Sequence, residues 1–290
     1  MNQSECLFCR KKNIINKNNI KTIFNKKYFY LVNCKECDIS YVSPLPTLDD
    51  LNKLYAFDDY YKKYYLEHKT NETEYSQFLN YIKPFLSNKS KILDYGCGDG
   101  GLMSFLKKKG LNISGADFES SMIQNLRNNK YDVHNYEQIK KFKNYYNLIY
   151  MRDVFEHSNN PIKLINTIFT LLNNRGILII EGPIEKNTSI TNLAIRLYLF
   201  LKYKLFKIVS PQFPYHLLFY SNKQLINFIL STNKFELKKY KIYETGWPLK
   251  GKNIIKNFIA NSSILLSKIL FTINFYGNRS IIIFVKNEEE

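Results

Sequence analysis

Between Ile92 and Leu106 the chain passes from two apolar residues, through Asp94-Tyr95-Gly96-Cys97-Gly98-Asp99-Gly100, into Leu102, Met103, Phe105 and Leu106 at helical spacing. A strand end, a glycine turn and a helix in that order form the opening of a βαβ unit. Glycine has no Cβ and tolerates positive φ, so such a turn lets backbone come close to a ligand. An acid set just before the glycines suits a ligand with hydroxyls or positive charge. A tight turn holding nothing is the plain alternative. The alternation continues: strand candidates at 112–116, 131–133, 148–151, 177–180 and 235–243 are separated by helix-spaced apolar residues, and a closing strand is expected at 280–285. This pattern predicts an α/β fold with a mostly parallel sheet and ligands bound at the strands' carboxyl ends.

Four of the five cysteines form Cys6-Leu7-Phe8-Cys9 and Cys34-Lys35-Glu36-Cys37. Two CxxC pairs a hairpin apart have the spacing of a structural zinc ribbon, in which four thiolates close a tetrahedron at about 2.3 Å. A closed shell leaves no position for water, so Cys6, Cys9, Cys34 and Cys37 are expected to hold zinc for folding. Disulfides are disfavoured without a secretory signal, and a redox pair would not need duplicating. Cys97 reads as packing inside the glycine turn.

These features divide the chain into a ribbon over 1–45, a helical linker or cap over 46–88, and a main domain over 89–290 with an insertion at 188–222. The ribbon is expected to contain a strand at 28–32 and to end at Ser43-Pro44-Leu45-Pro46. In the cap, Leu48, Leu51, Leu54 and Tyr55, then Phe78, Leu79, Ile82 and Phe85, recur at spacings of three and four. Tyr60, Tyr61, Tyr64 and Tyr65 read as packing within it.

The formal net charge is +17, almost all of the excess being lysine scattered along the chain. That distribution fits a Lys/Asn/Ile-biased proteome as well as a basic face, and arginine, preferred for bidentate phosphate and base contacts, is scarce. The polar N-terminus does not resemble a secretory signal. The nearest candidate for a membrane span, 258–276, is interrupted by Lys268. A cytoplasmic location is therefore expected, with peripheral contact at the inner membrane as the variant.

The glycine loop, Asp117 after the second strand, and Asp153-Val154-Phe155-Glu156-His157 followed by Asn160-Pro161 resemble the class I S-adenosylmethionine-dependent methyltransferases. Together with the paired CxxC and its downstream Ser-Pro-Leu-Pro, they are similar to a branch that joins a zinc ribbon to a Rossmann-like core and acts in sugar C-methylation, surface-polysaccharide or antibiotic biosynthesis. Gly96, Gly98 and Gly101 also satisfy the dinucleotide pattern GxGxxG, but Asp94 and the Glu156-His157 turn do not belong to it. The resemblance implies that the closing strand at 280–285 inserts antiparallel, and it implies a cofactor site at Asp94, Gly96, Cys97, Gly98, Gly100, Asp117, Phe118, Met151 and Arg152. Asp117 would accept hydrogen bonds from ribose, and a residue among 134–137 would border the adenine. Asn233 stands where relatives commonly have glycine before strand six, in a left-handed cap.

Methyl transfer needs an oriented acceptor and a base, and His is the usual base near neutral pH. His216 is the first candidate, with Tyr215 beside it to orient the substrate; His157 is the second, unless it merely pins its turn. A related group of quinone O-methyltransferases holds magnesium on a similar turn, which here would mean Asp153, Glu156 and His157. The stretch 193–209, apolar with interspersed cations, reads as an amphipathic lid packed on the core, or as an interfacial helix touching anionic membrane. The expected acceptor is a small sugar or nucleotide-sugar. The competing readings are an rRNA or tRNA methyltransferase using the ribbon and basic surface, and a non-catalytic scaffold.

Overall fold

The computed structural model describes residues 5–12, 14–24, 26–47, 49–51, 53, 72–118, 120–206, 215–249, 251, 253–270 and 276–288. The tyrosines expected in the cap, Tyr60 to Tyr65, lie outside these. A small antiparallel sheet comes first, from β1 (Ile14–Phe24), β2 (Lys27–Cys34) and β3 (Ser40–Ser43). Only β2 is anticipated by the aromatic run at 28–32.

The main sheet contains β4 (Lys91–Tyr95), β5 (Asn112–Asp117), β6 (Val133–Asn135), β7 (Tyr146–Arg152) and β8 (Leu172–Pro183), all parallel. The two-residue β9 (Leu218–Phe219) leaves this body and pairs with β3, completing the small sheet in the order β1-β2-β3-β9. β10 (Phe235–Tyr243) and β11 (Arg279–Lys286) finish the large sheet, in the order β10-β11-β8-β7-β4-β5-β6, with β11 antiparallel to both neighbours. Asn233 does adopt the left-handed conformation, at φ 57°, before β10.

The strands read as continuous apolar runs because both faces of the sheet are covered. On β8, Ile177 and Ile179 join one core cluster while Leu178 and Ile180 join the other; on β11, Ile281 and Ile283 oppose Ile282 and Phe284 in the same way. The first cluster includes residues of α1 (Glu72–Ile82), α2 (Gly101–Lys108) and α3 (Ser120–Asn128). The second includes α4 (Pro161–Leu171) and, after α5 (Ile190–Phe206), α6 (Asn222–Leu230); a further helix, α7 (Ile254–Ile269), precedes β11. Two helix starts follow sequence signals. Asn160 caps Lys163 N–H ahead of Pro161, and Ser221 and Gln224 form a reciprocal capping box at α6.

The small sheet shares the second core cluster. Phe8 meets Phe228 of α6 edge to face at 4.9 Å. Gln224 Nε2 donates to the Asp38 carbonyl at 2.8 Å, and Lys186 reaches the same residue. Within 188–222, α5 leaves Leu193, Leu197, Phe200, Leu201 and Leu205 exposed, which departs from the expectation of a helix packed on the core and leaves the interfacial alternative.

Candidate active site

The carboxyl ends of the parallel strands open onto a cavity of about 1250 Å³. Its floor is the glycine loop. Gly96 and Gly100 sit at φ 90° and 77°, and a Cβ on Gly96 would stand 2.2 Å from Val154 Cγ2. The turn is tied to the neighbouring strand, with Gly96 N–H and Cys97 N–H both donating to the Ala116 carbonyl. Gly96→Ala is expected to weaken cofactor affinity about 5–30-fold, because the left-handed backbone alone costs about 1–2 kcal/mol for a residue with a Cβ. Isothermal titration measures it, and unchanged affinity would show that the loop does not shape the cofactor cradle.

Asp117 accepts from Gly98 N–H at 2.8 Å and from Phe118 N–H at 2.7 Å, so it braces the loop as well as lining the cavity. Asp94 is buried behind it. Burial, and then the nearby Asp117 carboxylate, push the Asp94 carboxyl up to about 7. A cationic ligand beside this pair would draw Asp94 back to its ionised form.

Of the other residues expected here, Gly96, Cys97, Phe118 and Arg152 lie on the cavity wall. Gly98 contributes its N–H to Asp117, and Gly100 forms the N-terminal cap of α2. Cys97 Sγ would be 2.8 Å from a Cβ on Gly115, and burial pushes its thiol up, which fits packing. Met151 is wholly buried within the core cluster and is not on the cavity wall, because alternate strand residues point to opposite faces. In the segment 134–137 the wall is made by Tyr136 and Glu137. Tyr136 stacks on Tyr95 at 4.6 Å and 8° between planes, while His134 pairs with Asp132.

The far end of the cavity gathers both candidate histidines. Their rings meet edge to face at 5.0 Å. His157 Nδ1 donates to the Tyr215 carbonyl at 2.7 Å, which pins the turn after β7 to the loop before β9. His216 Nδ1 pairs with Glu185. Burial and the nearby His216 lower His157 to about 4. Burial opposes protonation of His216 too, but the Glu185 carboxylate on its Nδ1, and then Glu156, raise it to about 9. Glu156 is fully buried, both carboxyl oxygens lack a hydrogen-bond partner among the described residues, and burial pushes it up to about 8. Glu156, His157 and His216 bring one nitrogen or oxygen atom each to within 4.8 Å of one another.

Asp153 is outside that group. It pairs with Arg279 at 2.7 Å, so the magnesium alternative on Asp153, Glu156 and His157 is not assembled, and the side chains that meet are Glu156, His157 and His216. Arg279 escaped the sequence reading, although a signal exists. β11 is antiparallel, so its first residue lies at the carboxyl edge, opposite Pro183. There Arg279 also donates to Tyr243, which with Tyr150 donates to Glu181. Glu185 was missed as well, since nothing local marks a carboxylate two residues past a strand.

At the ribbon, Cys6 and Cys37 sulfurs are 3.7 Å apart, Cys9 and Cys34 sulfurs 3.5 Å, and all four thiols are within 4.8 Å of one another. Those gaps exceed a disulfide bond of about 2.05 Å and approach the edge of about 3.8 Å that a tetrahedron with 2.3 Å zinc–sulfur bonds would have. The cysteines are unbridged.

A seven-stranded Rossmann-like sheet with an antiparallel insertion, a glycine loop after β4 and an acid after β5 defines the S-adenosylmethionine-dependent methyltransferase class of enzyme. The family described as a methyltransferase domain matches residues 65–226, more than half of the chain, and the chain belongs to it. No curated protein matches. Among solved structures, the chain is similar to a SAM-dependent methyltransferase from Archaeoglobus fulgidus at 19% identity, over 79% of this chain and 100% of that one, with a TM-score of 0.53. A Thermotoga maritima protein described as a possible histamine N-methyltransferase matches at 15% identity over 81% and 99% of the two chains, TM-score 0.51. Phosphoethanolamine N-methyltransferase 2 of Haemonchus contortus matches at 14% over 86% of this chain and 63% of that one, TM-score 0.53. At these identities the likeness is one of fold.

Proposed function

We propose that the enzyme methylates a small polyhydroxylated acceptor, a sugar or nucleotide-sugar of surface-polysaccharide or secondary-metabolite biosynthesis, at a hydroxyl or at a carbon beside a carbonyl. The observation that carries this reading is the polar end of the cavity, where two histidines meet the Glu156 carboxyl, which has no hydrogen-bond partner among the described residues. A buried polar group without a partner is costly, and an acceptor with several hydroxyls would satisfy this one. The solved structures of similar fold include an enzyme described as acting on phosphoethanolamine, another small polar molecule.

S-adenosylmethionine, when bound, supplies a methyl on a sulfonium sulfur that departs as a neutral thioether. The chain's own residues do the rest. The glycine loop and Asp117 hold the nucleoside end, with Tyr136 beside the base. Glu185 fixes the Nδ1–H tautomer of His216, so its Nε2 takes the acceptor proton as the new bond to carbon forms. His157 positions the loop that carries His216, and Tyr215 borders the acceptor. The four cysteines hold a structural zinc.

Transfer of labelled methyl from S-adenosylmethionine to a panel of nucleotide-sugars tests the proposal. Transfer to one or more sugars supports it; no transfer to any sugar, with efficient transfer to RNA, overturns it. Asp117→Ala is expected to weaken cofactor binding by about 10–100-fold, the loss of one or two charge-assisted hydrogen bonds. Titration calorimetry reads that change, and an unaltered affinity would remove Asp117 from the ribose site.

A further inference from the structure

Helices α5 and α7 are built inside out. On α7 the buried positions are Ala260, Ser263 and Ser267, small or polar, whereas Ile254 and Phe258 are 85% and 73% exposed. On α5 Thr191 is buried, while Leu193, Leu197, Leu201 and Leu205 recur every four residues on the solvent side. Residues four apart share one face of a helix, and in a globular protein the large apolar face turns inward. Of seventeen large hydrophobic residues exposed among the described ones, seven lie on α5 and five on α7, so the exposure is concentrated on this pair. The two helices pack on each other. Tyr276 clasps both, its hydroxyl accepting from Ile190 N–H and pairing with Ser263 while its carbonyl accepts from Ser267. A contiguous apolar face of this kind marks an interaction surface.

Charge identifies the occupant. The sequences of α5 and α7 contain no Asp or Glu, yet they carry three and two Lys or Arg. Arg196 and Lys204 are exposed on α5, Lys256 and Lys268 on α7. A second copy of this face would set those cations against their own kind. A bilayer rich in anionic lipid offers an apolar layer with negative charge at its surface, the complement of both properties. With 17 and 16 residues, α5 and α7 fall short of the about 20 needed to span. No helix among the described residues is long and apolar enough to cross a membrane. We propose that the α5–α7 face docks in the plane of an anionic membrane surface, apolar stripes in the acyl boundary and cations among the headgroups.

Flotation of the full chain with phosphatidylcholine vesicles, alone or doped with phosphatidylglycerol, tests this independently of methyl transfer. The protein is expected to float with the anionic vesicles and to release as salt rises. Leu197→Ser with Phe258→Ser should weaken vesicle binding at least about tenfold, as two apolar side chains no longer enter the bilayer, without changing cofactor affinity. Lys256→Glu with Lys268→Glu should remove the preference for anionic lipid. No flotation with either vesicle overturns the proposal. So does a stable dimer in solution that the Leu197→Ser, Phe258→Ser variant dissociates, since the face would then belong to a second copy.

Discussion

Cys34→Ser is expected to abolish methyl transfer while leaving cofactor affinity within about twofold of the parent, the additivity expected of a distant site. The zinc that four thiolates would hold is worth about 10–16 kcal/mol of folding free energy in zinc-finger peptides, and Cys34 is the last residue of β2. Its turn leads into β3, which pairs Ser40 with Phe219 and Tyr41 with Leu218, while Val42 N–H donates to the Leu217 carbonyl. Leu217 N–H donates in turn to the Glu156 carbonyl, and His216 is the residue before it. Losing the ribbon therefore loosens the segment that presents His216, whereas the glycine loop stands on β4 and β5 and needs none of these contacts. Elemental analysis, calorimetry and a transfer assay on the same preparation separate the effects. A zinc-free variant with full transfer would show that the ribbon does not support the acceptor end.

The second large effect is at His216 itself. His216→Gln should lower kcat by about 10²–10⁴-fold, the usual contribution of a positioned base, with cofactor binding unchanged. The pH profile carries a sharper test. A base acts only when deprotonated, and His216 is raised to about 9 by Glu185 and Glu156, against burial. The groups facing it are Glu185, Glu156, Asp153 and His157. Activity should therefore climb between pH 7 and 9 rather than level off near 6.5. Glu185→Gln removes the larger of the raising influences and should move that rise to lower pH. A profile flat across this range in both proteins would exclude His216 as the base.

Much of the catalytic sheet was legible because its signals are local. Apolar runs, the glycine turn and Asn160-Pro161 each specify their own few residues, and β10 falls on 235–243 as read. Gly96 and Asp117 do lie on the cavity wall as expected, because backbone dictates where a glycine turn and a strand end fall. Met151 shows the boundary of that reasoning: a strand can be located without knowing which face each residue takes, and Met151 points into the core. The polar end of the cavity depends on contacts between distant segments. Glu185 meets His216 across 31 residues and Arg279 meets Asp153 across 126, and neither pairing leaves a mark in local spacing. The inverted faces of α5 and α7 were hidden for a related reason, since periodicity reveals that a helix has a stripe but not which way it turns.

The pairing of β3 with β9 also bears on how the chain assembles. A strand at 40–43 must wait for residues 218–219 before its outer edge is covered. Synthesis delivers the amino-terminal end first, at about 5–20 residues per second, so the nascent ribbon spends about ten seconds or more with β3 unpaired on that side. Exposed strand edges are sites of misassociation. Early metal capture by the thiols would keep the ribbon compact through that interval, giving the ion a part in biogenesis that outlasts no single catalytic cycle but precedes them all.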